Sequence, residues 1–151
     1  MKKESNQIRL KKCVEDSEWD VAKRLRNKYF FQPLSIQDPY TWTFDHKEHV
    51  HFILYRGDTM VGYAHIQLWP HHRAALRIIV IDELYRNHGL GSQFLHLCEL
   101  WLKAKNVKSL HDEARPDAIK FYRKNGYIEM PFDDPSGDPP SPYDLAMGKI
   151  L

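Results

Sequence analysis

Apolar and polar side chains alternate through residues 8–14, with Ile8 and Leu10 set against Arg9 and Lys11. That is the period of a half-buried strand. The spacing then lengthens to three and four, placing Val21, Ala22, Leu25 and Tyr29 on one helical face. Ser17-x-x-Asp20 reads as the capping box that starts the helix. Residues 31–50 hold two prolines and little periodicity, and a stretch of that length in a compact domain usually covers a ligand or carries function. Alternation returns in residues 51–56 and 60–69, joined by a two-residue Gly57-Asp58 hairpin turn. Along the second strand Ala64, Ile66 and Leu68 share one face, and Tyr63, His65 and Gln67 the other. Residues 74–81 are almost continuously apolar and predict a central strand. A glycine turn and a second helical stripe come next, with Phe94, Leu95, Leu97, Cys98, Trp101 and Leu102 running to about Lys105. Residues 108–113 predict a shorter strand, Pro116 suits the first turn of a helix that ends at Asn125-Gly126, and residues 127–130 and 144–150 predict the last two strands.

This order places the chain in the α/β class: a single domain over residues 1–151, with a mixed sheet of about seven strands flanked by helices. Hydrophobic residues make up 42% and charged residues 28% of the 151, ordinary for a globular protein with a core of its own. A net charge of +2 is too small to point to nucleic acid or a membrane surface. Residues 1–6 are polar and expected to fray. With no apolar stretch behind them, neither a leader nor a membrane span is expected. A cytoplasmic location is the default.

The strand at 74–81 runs into Arg86-Asn87-His88-Gly89-Leu90-Gly91-Ser92, which opens the second helix. A helix start without side chains in the way offers free N–H groups and the positive end of the dipole to an anion. The spacing is neither Gly-x-Gly-x-x-Gly nor a Walker loop, and the acidic ribose-binding residue of a Rossmann unit is missing downstream. Alone the pattern is weak. A second segment lies beyond it, Ala114-Arg115-Pro116-Asp117-Ala118-Ile119-Lys120-Phe121-Tyr122-Arg123-Lys124-Asn125-Gly126-Tyr127. Together the two resemble the GNAT superfamily of coenzyme A-dependent N-acetyltransferases, in particular its small stand-alone bacterial members. Arg115 stands where many members have Asn, and Tyr127 where most have Phe.

The resemblance implies a mostly antiparallel GNAT-like sheet, splayed at its central strands, and acetyl-CoA as co-substrate. Its diphosphate would meet Arg86, Asn87, His88, Gly89, Leu90, Gly91 and Ser92, and its pantetheine arm would lie along Ile79, Val80 and Ile81. The same resemblance gives Tyr122 the role of acid. Attack by an amine expels a thiolate of conjugate-acid pKa about 8.5, which a phenol near 10 can protonate. An amine acceptor of pKa about 10.4 must first lose a proton. Some relatives carry a Glu near the start of the central strand, where Ala75 stands here. Glu113, at the end of the neighbouring strand, is named first as base, with Asp112, His72 and His65 as alternatives.

Nine histidines raise the question of a metal, but the spacings of His46, His49, His51, His71 and His72 match no ligand set, so no metal is expected and surface or loop positions are. Trp42, Phe44, His46 and His49 suggest a lid over the acceptor, and the Asp133–Asp138 loop either attracts a cationic amine or is a solvated turn. The expected partner is a small-molecule or peptide primary amine, with no nucleic acid and no membrane. A homodimer is left open. Competing readings are an acyl-CoA-binding sensor without turnover and an enzyme acting on nucleic-acid-linked amines.

Overall fold

The computed structural model describes residues 6–151; the polar start, residues 1–5, lies outside them. Seven strands form one sheet: β1 (Ile8–Lys12), β2 (His49–Arg56), β3 (Thr59–Trp69), β4 (Arg73–Ile81), β5 (Ser109–Ala114), β6 (Ile128–Glu129) and β7 (Leu145–Ile150). Their order is β1-β2-β3-β4-β5-β7-β6, and among the described residues only the β4–β5 pair is parallel. Helices α1 (Asp16–Arg26), α2 (Leu90–Ala104) and α3 (Ile119–Lys124) flank it. The expected class, strand count and central position of residues 74–81 are all present.

The sheet separates two cores. Phe52, Leu54, Ala64, Ile66 and Leu110 meet Phe94, Leu95, Cys98 and Leu102 of α2 on one face. Ile53, Tyr63, Ile78 and Val80 meet Ala22 and Leu25 of α1 on the other. The alternation of β3 therefore sorts its side chains as its sequence predicts, because successive Cβ atoms point to opposite faces.

The first helix starts earlier than Ser17-x-x-Asp20 suggested. Its N-cap is Glu15, and the capping partner is Glu18, whose carboxylate accepts the Val14 and Glu15 N–H groups. Burial opposes the charge of Glu18, but Lys11 and the Tyr55 hydroxyl hold its pKa down at about 2. A carboxylate with two charged or hydroxylic donors outcompetes a solvent-facing Ser17 for the cap. Tyr29 also lies beyond α1, in a π-helical turn spanning Asn27–Phe31. Such wide turns cluster at functional positions, and this one aims Tyr29 and Phe30 at the opening between β4 and β5.

That opening positions the site. Strands β4 and β5 pair only at Arg73–Ser109, Ala74–Leu110 and Ala75–His111, then part. Opposite β3, Leu76 faces Ile66 and Ile78 faces His65, so Arg77 is an extra, bulged residue. A bulge bends its strand and re-aims the residues beyond it. Ala74 and Leu76 face the α2 core before it, and Ile79 and Ile81 face the same core after it, a parity that unbroken alternation forbids.

Candidate active site

The parting of β4 and β5 leaves a cleft of about 1110 Å³, lined by Leu76 to Ile81 on one side and by Glu113, Ala118, Phe121 and Tyr122 on the other. One wall of it is an open strand edge. The Asp82 N–H donates back to Val61 of β3, so by alternation the main-chain groups of Ile79 and Ile81 point away from β3 into the cleft. The Ile81 carbonyl is already taken by the Arg86 Nε–H at 2.8 Å.

At the cleft's mouth α2 begins on Gly89, which has φ +74° and no side chain with which to cap the helix. The N–H groups of Leu90, Gly91 and Ser92 therefore face outward unpaired, because the first helical bond, Gln93 N–H to the Gly89 carbonyl, lies beyond them. Gly91 is small for a different reason: a Cβ there would sit 3.2 Å from the Phe121 ring of α3. The Ser92 hydroxyl accepts from Asn125 Nδ2 at 3.1 Å, which ties the helix start to the end of α3. The Arg86 guanidinium stacks over Tyr29, 4.7 Å from its centroid, and Tyr29 in turn donates to Asp82. Arg86, Asn87, Gly89, Leu90, Gly91 and Ser92 all line the cleft, whereas exposed His88 does not.

Tyr122 presents its ring between Phe121 and Tyr127. Burial, with the field of Asp112 behind it, pushes its phenol well above the ordinary range, so the hydroxyl keeps its proton at neutral pH. Glu113 also lines the cleft, and its carboxylate accepts the Ser141 N–H at 3.3 Å. Alternation in β5 turns Leu110, Asp112 and Ala114 to the α2 core and Glu113 to the other face. Asp112 is only 1% exposed, and neither of its oxygens has a hydrogen-bond partner among the described residues. Burial and the nearby Glu113 push its carboxyl up to about 8.

Asp112 has a stability effect of definite sign. Its unfolded pKa is about 3.9, so between pH 4 and 8 the folded chain holds a proton that the unfolded chain has lost. Stability contributed at this position falls as pH rises across that window and is flat outside it. In urea unfolding, Asp112→Asn is expected to gain on the parent chain as pH rises from 4 to 8, by an amount on the order of a few kcal/mol. A difference independent of pH would contradict the burial of this carboxyl.

The matching family model is that of the GNAT acetyltransferases, over residues 19–127. The chain belongs to the GNAT acetyltransferase family. No curated protein matches it in sequence. Many solved structures share the fold. A GNAT-family acetyltransferase from Staphylococcus aureus is 18% identical with a TM-score of 0.75, covering 96% of this chain and 99% of that one. The ribosomal-protein-S18-alanine N-acetyltransferase from Escherichia coli is 19% identical with a TM-score of 0.72, over 95% and 94%. The PaiA N-acetyltransferase from Thermoplasma acidophilum, solved with coenzyme A, is 17% identical with a TM-score of 0.65, over 96% and 99%. As a GNAT protein the chain is an N-acetyltransferase that draws on an acyl-CoA donor.

In this GNAT chain His46, His71, His72, His88 and His96 are exposed as the sequence suggested, but His49, His51, His65 and His111 are not. His51 and His65 are buried, and His49 is half-buried beside them. His49 Nδ1 and His65 Nε2 lie 2.8 Å apart, His65 Nδ1 lies 3.2 Å from Arg26 Nη1, and His51 Nδ1 lies 2.6 Å from the Tyr63 hydroxyl. They are buried because a charged neighbour and a phenol satisfy their nitrogens, which spacing along the chain does not reveal. Among the described residues no group of three or more His, Cys, Asp or Glu side chains is set to hold a metal ion. Trp42, Phe44, His46 and His49 pack on one another and on His51 and Trp19 rather than lining the cleft. His72 is exposed and meets the Asn106 carbonyl. The acidic loop does reach the site. Asp134 pairs with Arg77 at 2.9 Å, and Asp134, Asp138 and Asp144 line the cleft. Among the described residues no helix is long and apolar enough to cross a membrane.

Proposed function

We propose that this cleft binds acetyl-CoA and passes its acetyl group directly to a primary amine of a small molecule or peptide. The observation that carries the reading is the continuity of one groove: unpaired N–H groups at the start of α2 lead along the open edge of β4 to the Tyr122 hydroxyl. The Leu90, Gly91 and Ser92 N–H groups would hold the diphosphate with the help of the helix dipole, and Arg86 would add a charge that is never lost. The edge groups of Ile79 and Ile81 would pair with the amides of the pantetheine arm as an added strand does.

In this reading the amine attacks the thioester carbonyl carbon, the C–S bond breaks, and the Tyr122 phenol protonates the departing thiolate. Glu113, on the cleft wall, takes the proton that the ammonium must shed. Direct transfer agrees with the state of both cysteines. Burial pushes the Cys13 thiol up to about 12 and the Cys98 thiol higher, so neither offers the thiolate that a covalent route requires. The carboxylates of Glu113, Asp134, Asp138 and Asp144 around the cleft favour a cationic acceptor.

Thiol release from acetyl-CoA, measured against polyamines, amino acids, aminoglycosides and lysine peptides, tests the activity and finds the acceptor. Tyr122→Phe is expected to lower kcat by about 100-fold or more with little change in KM for acetyl-CoA. Binding of coenzyme A without turnover on any amine would instead favour the sensor reading, and an unchanged kcat would remove Tyr122 from the chemistry.

A further inference from the structure

One aromatic side chain holds both ends of the link that carries β4 into α2. After Ile81 the chain makes a short 3₁₀ turn, Glu83–Tyr85, with Asp82 before it and Arg86 after it. The half-buried Tyr29 fixes the start of that turn. Its hydroxyl donates to Asp82 Oδ1 at 2.9 Å and accepts the Glu83 N–H at 2.9 Å. Its ring fixes the end, lying under the Arg86 guanidinium with 4.7 Å between Cζ and the centroid.

We propose that Tyr29 is the positioning residue for Arg86: stacked on the Tyr29 ring and tied to the Ile81 carbonyl, the guanidinium stands ready for the donor's diphosphate. The inference rests on the reading that places the diphosphate at the start of α2, and it names the side chain that prepares that site. Tyr29 touches no phosphate itself. It acts through Arg86.

The contacts of Arg86 leave the useful part of it free. Its Nε–H donates to the Ile81 carbonyl at 2.8 Å and one face is covered by the ring. Among the described residues its Nη groups have no hydrogen-bond partner and no carboxylate pairs with it. Those Nη groups carry the N–H donors that meet a phosphate through paired bonds. An arginine loose in solvent gives up its rotamer freedom when it binds, whereas one already held has given it up on folding. Stacking on Tyr29 therefore strengthens the grip without adding a contact to the ligand.

The π-helical turn gives the placement its reason. It takes Tyr29 and Phe30 off the register of α1, and each ring then carries an arginine that lines the cleft. Phe30 lies 5.4 Å from Arg115, much as Tyr29 lies under Arg86. Asp82 does not depend on the Tyr29 hydroxyl alone, since Arg24 and Lys28 also meet its carboxylate at 3.4 and 3.7 Å. Lys28 lies 5.2 Å from the Tyr29 centroid but is engaged by Glu83 at 2.8 Å. Arg86 is thus the cation beside this ring that is left for a ligand.

Calorimetry with coenzyme A needs no acceptor and tests the assignment. Tyr29→Leu, which removes the ring, is expected to weaken binding about tenfold, and Tyr29→Phe, which keeps it, should restore most of that loss. Arg86→Met is expected to weaken binding by about 10- to 100-fold. Adding Tyr29→Leu to Arg86→Met should then cost no more than about twofold further, a non-additivity that a general loss of structure does not produce. Losses that multiply in the double variant overturn the role of Tyr29 and leave the diphosphate reading intact. So does a Tyr29→Leu that binds like the parent beside a weakened Arg86→Met. Parent-like binding by Arg86→Met removes Arg86 from the site and the proposal with it, and a parent that gives no heat with coenzyme A removes the donor-site reading itself. A second arm needs no change at Tyr29: proton NMR of the free parent, with the Arg86 side-chain signals assigned by their loss in Arg86→Met. Those signals are expected upfield of the exposed arginines, shifted by the ring current of Tyr29. Signals at the positions of solvent-exposed arginines would mean no stacking and overturn the proposal.

Discussion

Replacing Arg26 with methionine is expected to cost about 3–5 kcal/mol of stability, lowering the unfolding midpoint by about 10 °C for a chain of this size. Arg26 is fully buried at the end of α1. Its Nε–H and Nη2–H donate to the two Asp38 oxygens at 2.6 and 3.1 Å, and Nη1–H donates to the Tyr63 hydroxyl at 2.9 Å. Phe31, Phe44 and Tyr63 surround the guanidinium. Methionine fills the volume but leaves the half-buried Asp38 carboxylate and the buried Tyr63 phenol and His65 ring without their partner. The cost lies in those abandoned partners rather than in the lost pair. The double variant Arg26→Met with Asp38→Asn should therefore lose less than the sum of the two single changes, and the difference is the coupling. Strict additivity in urea unfolding, or a loss below about 1 kcal/mol, would contradict this account. The effect would reach the cleft, because the π-helical turn that carries Tyr29 and Phe30 starts one residue later.

Arg26 also shows which parts of the structure could be read in advance. Period-two and period-3.6 patterns report burial of apolar residues, so the strands, α2 and the sheet's two faces were legible. The glycine turn that starts α2 was legible too, through short-range spacing, while Tyr122 was singled out by the family resemblance. Arg26 was not: its partners lie 12, 37 and 39 residues away, and a lone arginine in an amphipathic helix reads as solvent-facing. The same limit hid His51, His65 and Asp112, whose burial depends on what the other strands bring to them. The Arg77 bulge left one local trace, a single charge inside an apolar strand. That trace gained meaning only with the register of β3 beside it. Its side chain leaves the sheet, bonds Gln67 and Asp134 and packs over Trp69 and Phe132. The acidic loop is thereby folded onto the cleft instead of standing in solvent.

Gly89→Val is expected to raise KM for acetyl-CoA by about 10- to 100-fold, corresponding to about 1.4–2.8 kcal/mol, with KM for the amine nearly unchanged. A Cβ at Gly89 meets nothing within 4 Å, so the substitution introduces no clash in the free protein. Its effect comes through the backbone. The residue sits at φ +74°, where a β-branched side chain is strained. Relief of that strain would turn the Asn87–Leu90 segment and swing the Leu90 and Gly91 N–H groups off their common aim. An anion held by converging amides depends on that aim, whereas an acceptor approaching from the acidic side of the cleft does not. Gly89→Asn separates backbone from bulk: asparagine tolerates the left-handed region, so it should bind acetyl-CoA far better than the valine variant despite its larger polar group. Steady-state kinetics with each substrate varied in turn decides the matter. Equal rises in both KM values for Gly89→Val would mean that the mouth of α2 is not where the diphosphate is held.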